Sequence, residues 1–136
     1  RHNLIRFVTE TRAKGAIPIL FSSIARRNFN EHGVLVGTHG DYPLETRLVA
    51  QEYQVPFIDL EYFSELLEQS YGVEKSKELH LYFKAGEHPY YPEGKSDDTH
   101  LSLKGAIEIA KIVVQELCKM DLRFNKYSKL LIGCNY

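Results

Sequence analysis

The densest polar cluster in the chain is Ser96-Asp97-Asp98-Thr99-His100, set immediately before a helix-forming stretch. Asp97 and His100 stand three apart, a spacing that lets a carboxylate reach the imidazole Nδ1–H. That contact would fix the tautomer and leave Nε2 free as a general base, the logic of a nucleophile–His–Asp triad. Asp, Ser and Thr ahead of a helix are also cap residues, and on spacing alone a structural cap is the favoured reading, since caps are common and triads rare. Ser22 and Ser23 end an apolar run at the kind of strand edge where α/β sites form. Phe21-Ser22-Ser23-Ile24 lacks the flanking small residues of a nucleophile elbow, so both serines read as strand-end hydrogen-bonding residues. Glu87, His88, Asp97 and His100 are metal-ligand types, but no His-x-x-x-His or Cys-x-x-Cys spacing organises them. No metal and no cofactor is expected.

These residues must be held by elements that the hydrophobic period outlines. Leu4, Ile5, Phe7, Val8 and Thr11 lie at helical spacing up to a stop at Lys14-Gly15. Ala16 to Phe21 and Val55 to Leu60 are short, continuous apolar runs, expected as parallel strands buried on both faces. Residues 24–43 read as a long loop, with Gly37 and Gly40 shaping a turn and Asp41 capping a helix over about 43–53. Leu60, Phe63, Leu66, Leu67 and Tyr71 form one side of the next helix, stopped by Gly72. A short helical piece over 74–82 should lead into a loop from Lys84 to Asp98. Ser102 then caps a last helix that buries Ile107, Ala110, Val114 and Cys118 and pairs Lys104 with Glu108. Residues 121–136 form a tail of uncertain structure.

With 136 residues, 43% hydrophobic and 26% charged, the chain has the composition of one globular domain. A net charge of -1 without blocks of like charge gives no footprint for nucleic acid. No apolar stretch approaches the roughly 20 residues of a membrane span. Cys118 and Cys134 are too few for a disulfide framework; Cys118 reads as a buried thiol, and the redox state of the two is left open. Two apolar strands cannot cover their own faces and edges. The chain therefore looks like the later half of a domain, needing a missing N-terminal half or a sheet-completing chain.

Several segments in order carry a resemblance. They are Arg12-Ala13-Lys14-Gly15-Ala16, Ser22-Ser23-Ile24-Ala25-Arg26-Arg27, Thr38-His39-Gly40-Asp41-Tyr42-Pro43, Val55-Pro56-Phe57-Ile58-Asp59-Leu60, Tyr91-Pro92-Glu93-Gly94-Lys95, and Asp97 to His100 followed by Gly105-Ala106. Together they resemble the rhamnogalacturonan acetylesterase branch of the SGNH (GDSL-type) hydrolases, over nearly the whole chain and thinning after about residue 118. The resemblance implies an α/β fold: a three-layer α/β/α sandwich with a flavodoxin-like parallel sheet, of which residues 1–136 hold the last two strands and their helices. It implies a serine esterase acting on acetylated oligo- or polysaccharide, with Asp97 and His100 as the triad's acid and base. His39, Tyr42 and Tyr91 are then candidates for touching sugar, the last beside Tyr82 and Tyr90. The family's Gly-Asp-Ser block is absent, and the helix over 4–14 resembles the one that comes after its Asn block. Nucleophile and oxyanion hole are thus expected upstream of Arg1, and the chain alone is expected to be inactive. The compartment is left open, since any targeting segment would also lie upstream.

Overall fold

The computed structural model describes residues 1–120, in the order α1 (His2–Ala13), β1 (Leu20–Phe21), α2 (Tyr42–Glu52), β2 (Phe57–Ile58), α3 (Leu60–Lys75), a 3₁₀ turn (Ser76–Leu79), β3 (His80–Phe83), β4 (Lys95–Leu101) and α4 (Leu103–Lys119). The chain divides into two units. One holds Arg1–Ser23, His39–Glu61 and the stretch from Ile112; the other holds Ile24–Thr38 and Tyr62–Lys111.

In the first unit α1 stops where expected: Gly15 adopts φ 74° and donates its N–H to the Arg12 carbonyl at 2.9 Å. β1 and β2 pair in parallel, Leu20 with Phe57 and Phe21 with Ile58. The ladder is carried on by Leu20 N–H to Pro56 O (2.9 Å) and Ser22 N–H to Ile58 O (3.1 Å). Val8, Ala50 and Val55 form the core, with Leu20, Tyr53 and Phe57 packed on them. The strands are shorter than expected and β1 is not buried on both faces: Phe21 is exposed, as is Ile17 in the extended run before the strand. Two strands supply one ladder and no second layer. Pro43 sits in the first turn of α2, and Asp41 holds the cap position through its carbonyl, its side chain making no cap bond. The Arg12 guanidinium holds the Tyr53 and Gln54 carbonyls (2.8 and 3.2 Å) at the turn where Gln54 takes the left-handed φ of 51°.

In the second unit Gly72, at φ 72°, breaks α3 as read from the sequence. The expected helix over 74–82 and loop over 84–98 need correction. Helical structure ends at Leu79, and His80–Phe83 pairs antiparallel with Lys95–Leu101 to make a hairpin. The register runs Phe83 with Lys95, Tyr82 with Ser96 and Leu81 with Asp97, then jumps to His80 with Leu101. One step along β3 thus spans four along β4, so Asp98, Thr99 and His100 bulge out of the ladder. Bulges of this kind re-aim side chains and recur beside active sites.

The segment 24–38 is not a free loop. Buried Arg27 donates from Nε to Ser76 Oγ (3.0 Å) and from Nη1 to Asp98 Oδ1 (2.7 Å), and its Nη2 reaches the Val73 carbonyl. The Ala25 N–H adds a bond to Ser64 Oγ at 2.8 Å. Ser102 caps α4 as expected, accepting the Gly105 N–H at 3.1 Å, while its own hydroxyl donates to the Glu78 carbonyl at 2.6 Å. Other expectations for α4 fail. Ile107 and Ala110 are exposed, Val114 and Cys118 are half-buried, and the buried residues are Gly105 and Ile109. Lys104 pairs with Glu78, and Glu108 with Lys111. Cys118 is disulfide-bonded rather than a buried thiol. Cys134 and the tail over 121–136 lie outside the described residues.

Gly105 is buried because α4 begins against the backbone of the 3₁₀ turn: a Cβ there would stand 2.0 Å from the Leu79 carbonyl oxygen. Backbone cannot rotate away as a side chain can. Gly105→Ala is therefore expected to destabilise the protein by about 1–3 kcal/mol or more, despite the better helix propensity of Ala. Urea unfolding should show a lowered midpoint with an unchanged slope.

Candidate active site

The site begins with β4, whose bulge turns Asp97 and His100 toward each other. Asp97 Oδ1 accepts the backbone N–H groups of Thr99 and His100, both at 2.9 Å, closing a turn on its own side chain. Asp97 Oδ2 lies 2.9 Å from His100 Nδ1. With Nδ1 donating to the carboxylate, Nε2 keeps its lone pair. The His100 side chain is 73% exposed and that of Asp97 13%, so the imidazole faces solvent while its partner is shielded. The two N–H groups of His100 and Thr99, then the imidazole and Lys95, hold the Asp97 carboxyl well below the usual carboxylate range. Lys95 Nζ stands 3.4 Å from the same Oδ2 that contacts His100. The expected dyad is brought together on a strand bulge rather than on a turn before a helix.

Asp98, next in sequence, has other partners. The Tyr82 hydroxyl donates to its Oδ1 at 2.6 Å, beside the bond from Arg27. Burial pushes the Asp98 carboxyl up, but Tyr82 and Arg27 outweigh it and the net direction is down. Burial first, then the Asp98 bond, raise the Tyr82 phenol above its ordinary value.

Tyr91 stacks on Phe83 (centroids 5.6 Å apart, 12° between planes) and touches the His88 ring, which makes it a pillar of the hairpin tip. Tyr90, beside it, is 84% exposed. In the other unit His39 and Tyr42 do come together. They line a cavity of about 610 Å³ with Ser23, Asp41, Arg1 and Asn3. His39 is held from behind by Glu61, Nδ1 to Oε1 at 3.2 Å, and the Tyr42 ring is exposed. Buried Ser22 has its hydroxyl engaged twice: it donates to Asp59 Oδ1 (2.9 Å) and accepts the Glu61 N–H (2.8 Å) at the start of α3. That is the strand-end role expected of it. Among the described residues no group of three or more His, Cys, Asp or Glu is placed to hold a metal ion. Among the same residues no helix is long and apolar enough to cross a membrane.

Sequence reasoning missed Lys95 and Arg27. Lys95 is two residues from Asp97, the same-face spacing of a strand, and would have been found had 95–101 been read as one. Nothing local marks Arg27 as buried; its partners lie 46 to 71 residues away.

A fold of this kind is found among SGNH hydrolases. The chain superposes on the crystal structure of the YxiM protein of Bacillus subtilis, an SGNH hydrolase, with a TM-score of 0.70 and 25% identity, covering 88% of this chain and 30% of that one. No family model matches. The curated relatives of the chain are more particular. It is 42% identical over 119 residues to the rhamnogalacturonan acetylesterase RhgT of B. subtilis. It is 33% identical over 122 residues to the probable rhamnogalacturonan acetylesterase YesY of the same organism. Each match covers 88% of this chain, and the chain spans about half the length of these curated relatives. It is thus a relative of the rhamnogalacturonan acetylesterases, matched along half of their length.

Proposed function

We propose that this chain supplies the acid–base half of a serine carbohydrate esterase that removes O-acetyl groups from pectic polysaccharide. The observation that carries the reading is the Asp97–His100 dyad, with Nδ1 bound and Nε2 open to solvent. His100 Nε2 takes the proton of a serine hydroxyl, supplied by sequence upstream of Arg1, as its oxygen attacks the acetyl carbonyl. The imidazolium then protonates the departing sugar oxygen, leaving an acetyl-enzyme. Water, deprotonated by the same nitrogen, releases acetate and regenerates the serine. Asp97 stays ionised throughout and stabilises the imidazolium without taking its proton. The oxyanion hole is proposed to come from the same upstream sequence, through the serine's backbone N–H with a Gly and an Asn. His39 and Tyr42, with Tyr91 at the hairpin tip, are proposed to contact the sugar chain.

The exposed Ile17 and Phe21 favour one part of this further: an additional layer or strand covers β1 in the working protein. If that partner were a separate chain, the 136 residues would instead be a non-catalytic association module. Acetate release by the complete protein separates the two.

Asp97→Asn is the direct test. Asn keeps an oxygen for the Thr99 and His100 N–H groups but loses the charge on the imidazole. In the full-length protein, release of acetate from acetylated pectic polysaccharide should fall by about 10³–10⁴ in kcat. Wild-type turnover in this variant, or no acetate release by the wild type, overturns the proposal. The carboxyl sits below the usual range when folded, so its contribution is complete at higher pH and is lost only as pH falls through that depressed value. Wild-type activity should accordingly show no loss attributable to Asp97 across the ordinary carboxylate range, about pH 4–5.

A further inference from the structure

The β3–β4 ladder fixes the ends of the bulge and not its path. Asp97 and Leu101 are paired across it, while Asp98, Thr99 and His100 fall outside the register. Bonds of different origin shape that gap. The local ones run from the Thr99 and His100 N–H groups to Asp97 Oδ1. The others come from far away in sequence and converge on Asp98. The Arg27 N–H donates to the Asp98 carbonyl at 2.9 Å, and Arg27 Nη1 donates to Asp98 Oδ1 at 2.7 Å. Backbone and side chain of one residue thus hold backbone and side chain of the other, with the Tyr82 hydroxyl on the same Oδ1.

Arg27 is itself held from several sides. Its side chain is 9% exposed, Nε donates to Ser76 Oγ at 3.0 Å, and Nη2 reaches the Val73 carbonyl just past the break in α3. The Phe29 and Tyr82 ring centroids lie 5.6 and 5.5 Å from its Cζ. Taking a guanidinium out of water costs about as much as its ion pair returns, so this burial is weak evidence of stabilisation. The best-attested use of such a pair is to select one arrangement of the chain among several. A planar fork with donors at fixed angles suits that use, and a lysine ammonium does not.

We propose that Arg27 is a positioning residue: by holding Asp98 it sets the path of the bulge, and through it the place of the His100 imidazole. The inference rests on the reading of His100 as the general base and adds what aims that base. Among the described residues Arg27 makes no hydrogen bond or ion pair with Asp97 or His100, so its hold on the ring passes through the backbone of residues 98–100.

The test uses variants of the full-length protein, with p-nitrophenyl acetate as substrate so that sugar recognition plays no part. Arg27→Lys keeps the charge and loses the fork. Asp98→Asn keeps an acceptor oxygen and loses the charge. Arg27→Met combined with Asp98→Leu removes the pair without stranding either charge. A reacting group misplaced by about 1 Å costs about 10²-fold, so kcat should fall by about that factor in Arg27→Lys and in the double variant, and by about tenfold in Asp98→Asn. KM should stay within about twofold, because no group that touches the ester is changed. The independent readout is the NMR signal of the His100 ring carbon-bound protons, assigned by their loss in His100→Ala and recorded without substrate. That signal should shift in each folded variant. A purely structural role would lower stability and leave both the signal and kcat per folded molecule at wild-type values. Asp98→Asn, the mildest change on a half-exposed side chain, decides the matter if the Arg27 variants do not fold. Wild-type kcat with an unshifted His100 signal in the folded variants overturns the proposal, as does a raised KM with kcat kept. A wild type that frees no acetate overturns the esterase reading instead, and the ring signal still shows whether Arg27 places the imidazole.

Discussion

His100→Ala in the full-length protein is expected to lower kcat for acetate release by about 10⁵–10⁶, the scale seen when the base of a serine triad is removed. The effect should be of similar size on p-nitrophenyl acetate and on acetylated pectic polysaccharide, because the lost step is proton transfer and not sugar recognition. Stability should hardly move, since the side chain is mostly exposed and its Nδ1 bond goes to a carboxylate within its own turn, which keeps the Thr99 and His100 N–H groups without it. Combining it with Asp97→Asn should cost little more than His100→Ala alone: the carboxylate acts through the imidazole, and with the ring gone it has nothing to orient. Turnover within a few-fold of wild type in His100→Ala would sink the assignment of the base.

The second large effect concerns folding. Glu68 Oε1 and His80 Nε2 meet at 2.7 Å with side chains 4% and 0% exposed, and Glu68 Oε2 and His80 Nδ1 have no hydrogen-bond partner. His80 is the residue opposite Leu101, at the end of the bulge that carries His100. Removing one member leaves the other polar and buried, a loss of about 3–5 kcal/mol. Glu68→Ala and His80→Ala should each lower the urea midpoint by that equivalent. Replacing both with apolar residues, as in Glu68→Leu with His80→Leu, should restore most of the stability because it also removes the two unpartnered atoms. Single variants within about 0.5 kcal/mol of wild type would mean that the buried pair contributes nothing to stability.

Much of the frame was legible from pattern. α1 and its Gly15 stop, α2 with Pro43 in its first turn, the break at Gly72 and the Ser102 cap all arise from local backbone chemistry. The parallel pairing of the two apolar runs was legible from their unbroken apolar character and the helix between them. The hairpin was not legible, because Lys-Ser-Asp-Asp-Thr-His-Leu has neither apolar alternation nor strand propensity. Those residues are held extended by distant partners: β3 on one side, and Arg27 on the Asp98 backbone carbonyl and carboxylate. The dyad itself was visible because it needs only a three-residue spacing. Lys95, Arg27 and Tyr82, which set its surroundings, were hidden because their proximity is created by the fold. The charge pairs of α4 failed for the same reason: Lys104 had a choice between Glu108 on its own helix and Glu78 on the turn beneath, and the structure shows the second.

The bulge in β4 starts and finishes on paired residues, Asp97 with Leu81 and Leu101 with His80. The imidazole therefore rides on a segment pinned at both ends, while the hairpin's outer tip, residues 84–94, is attached only beyond it. Length and composition at the tip are uncoupled from the position of the His100 imidazole. A protein engineer can exchange residues 84–94 wholesale, with the Asp97–His100 contact expected to be kept.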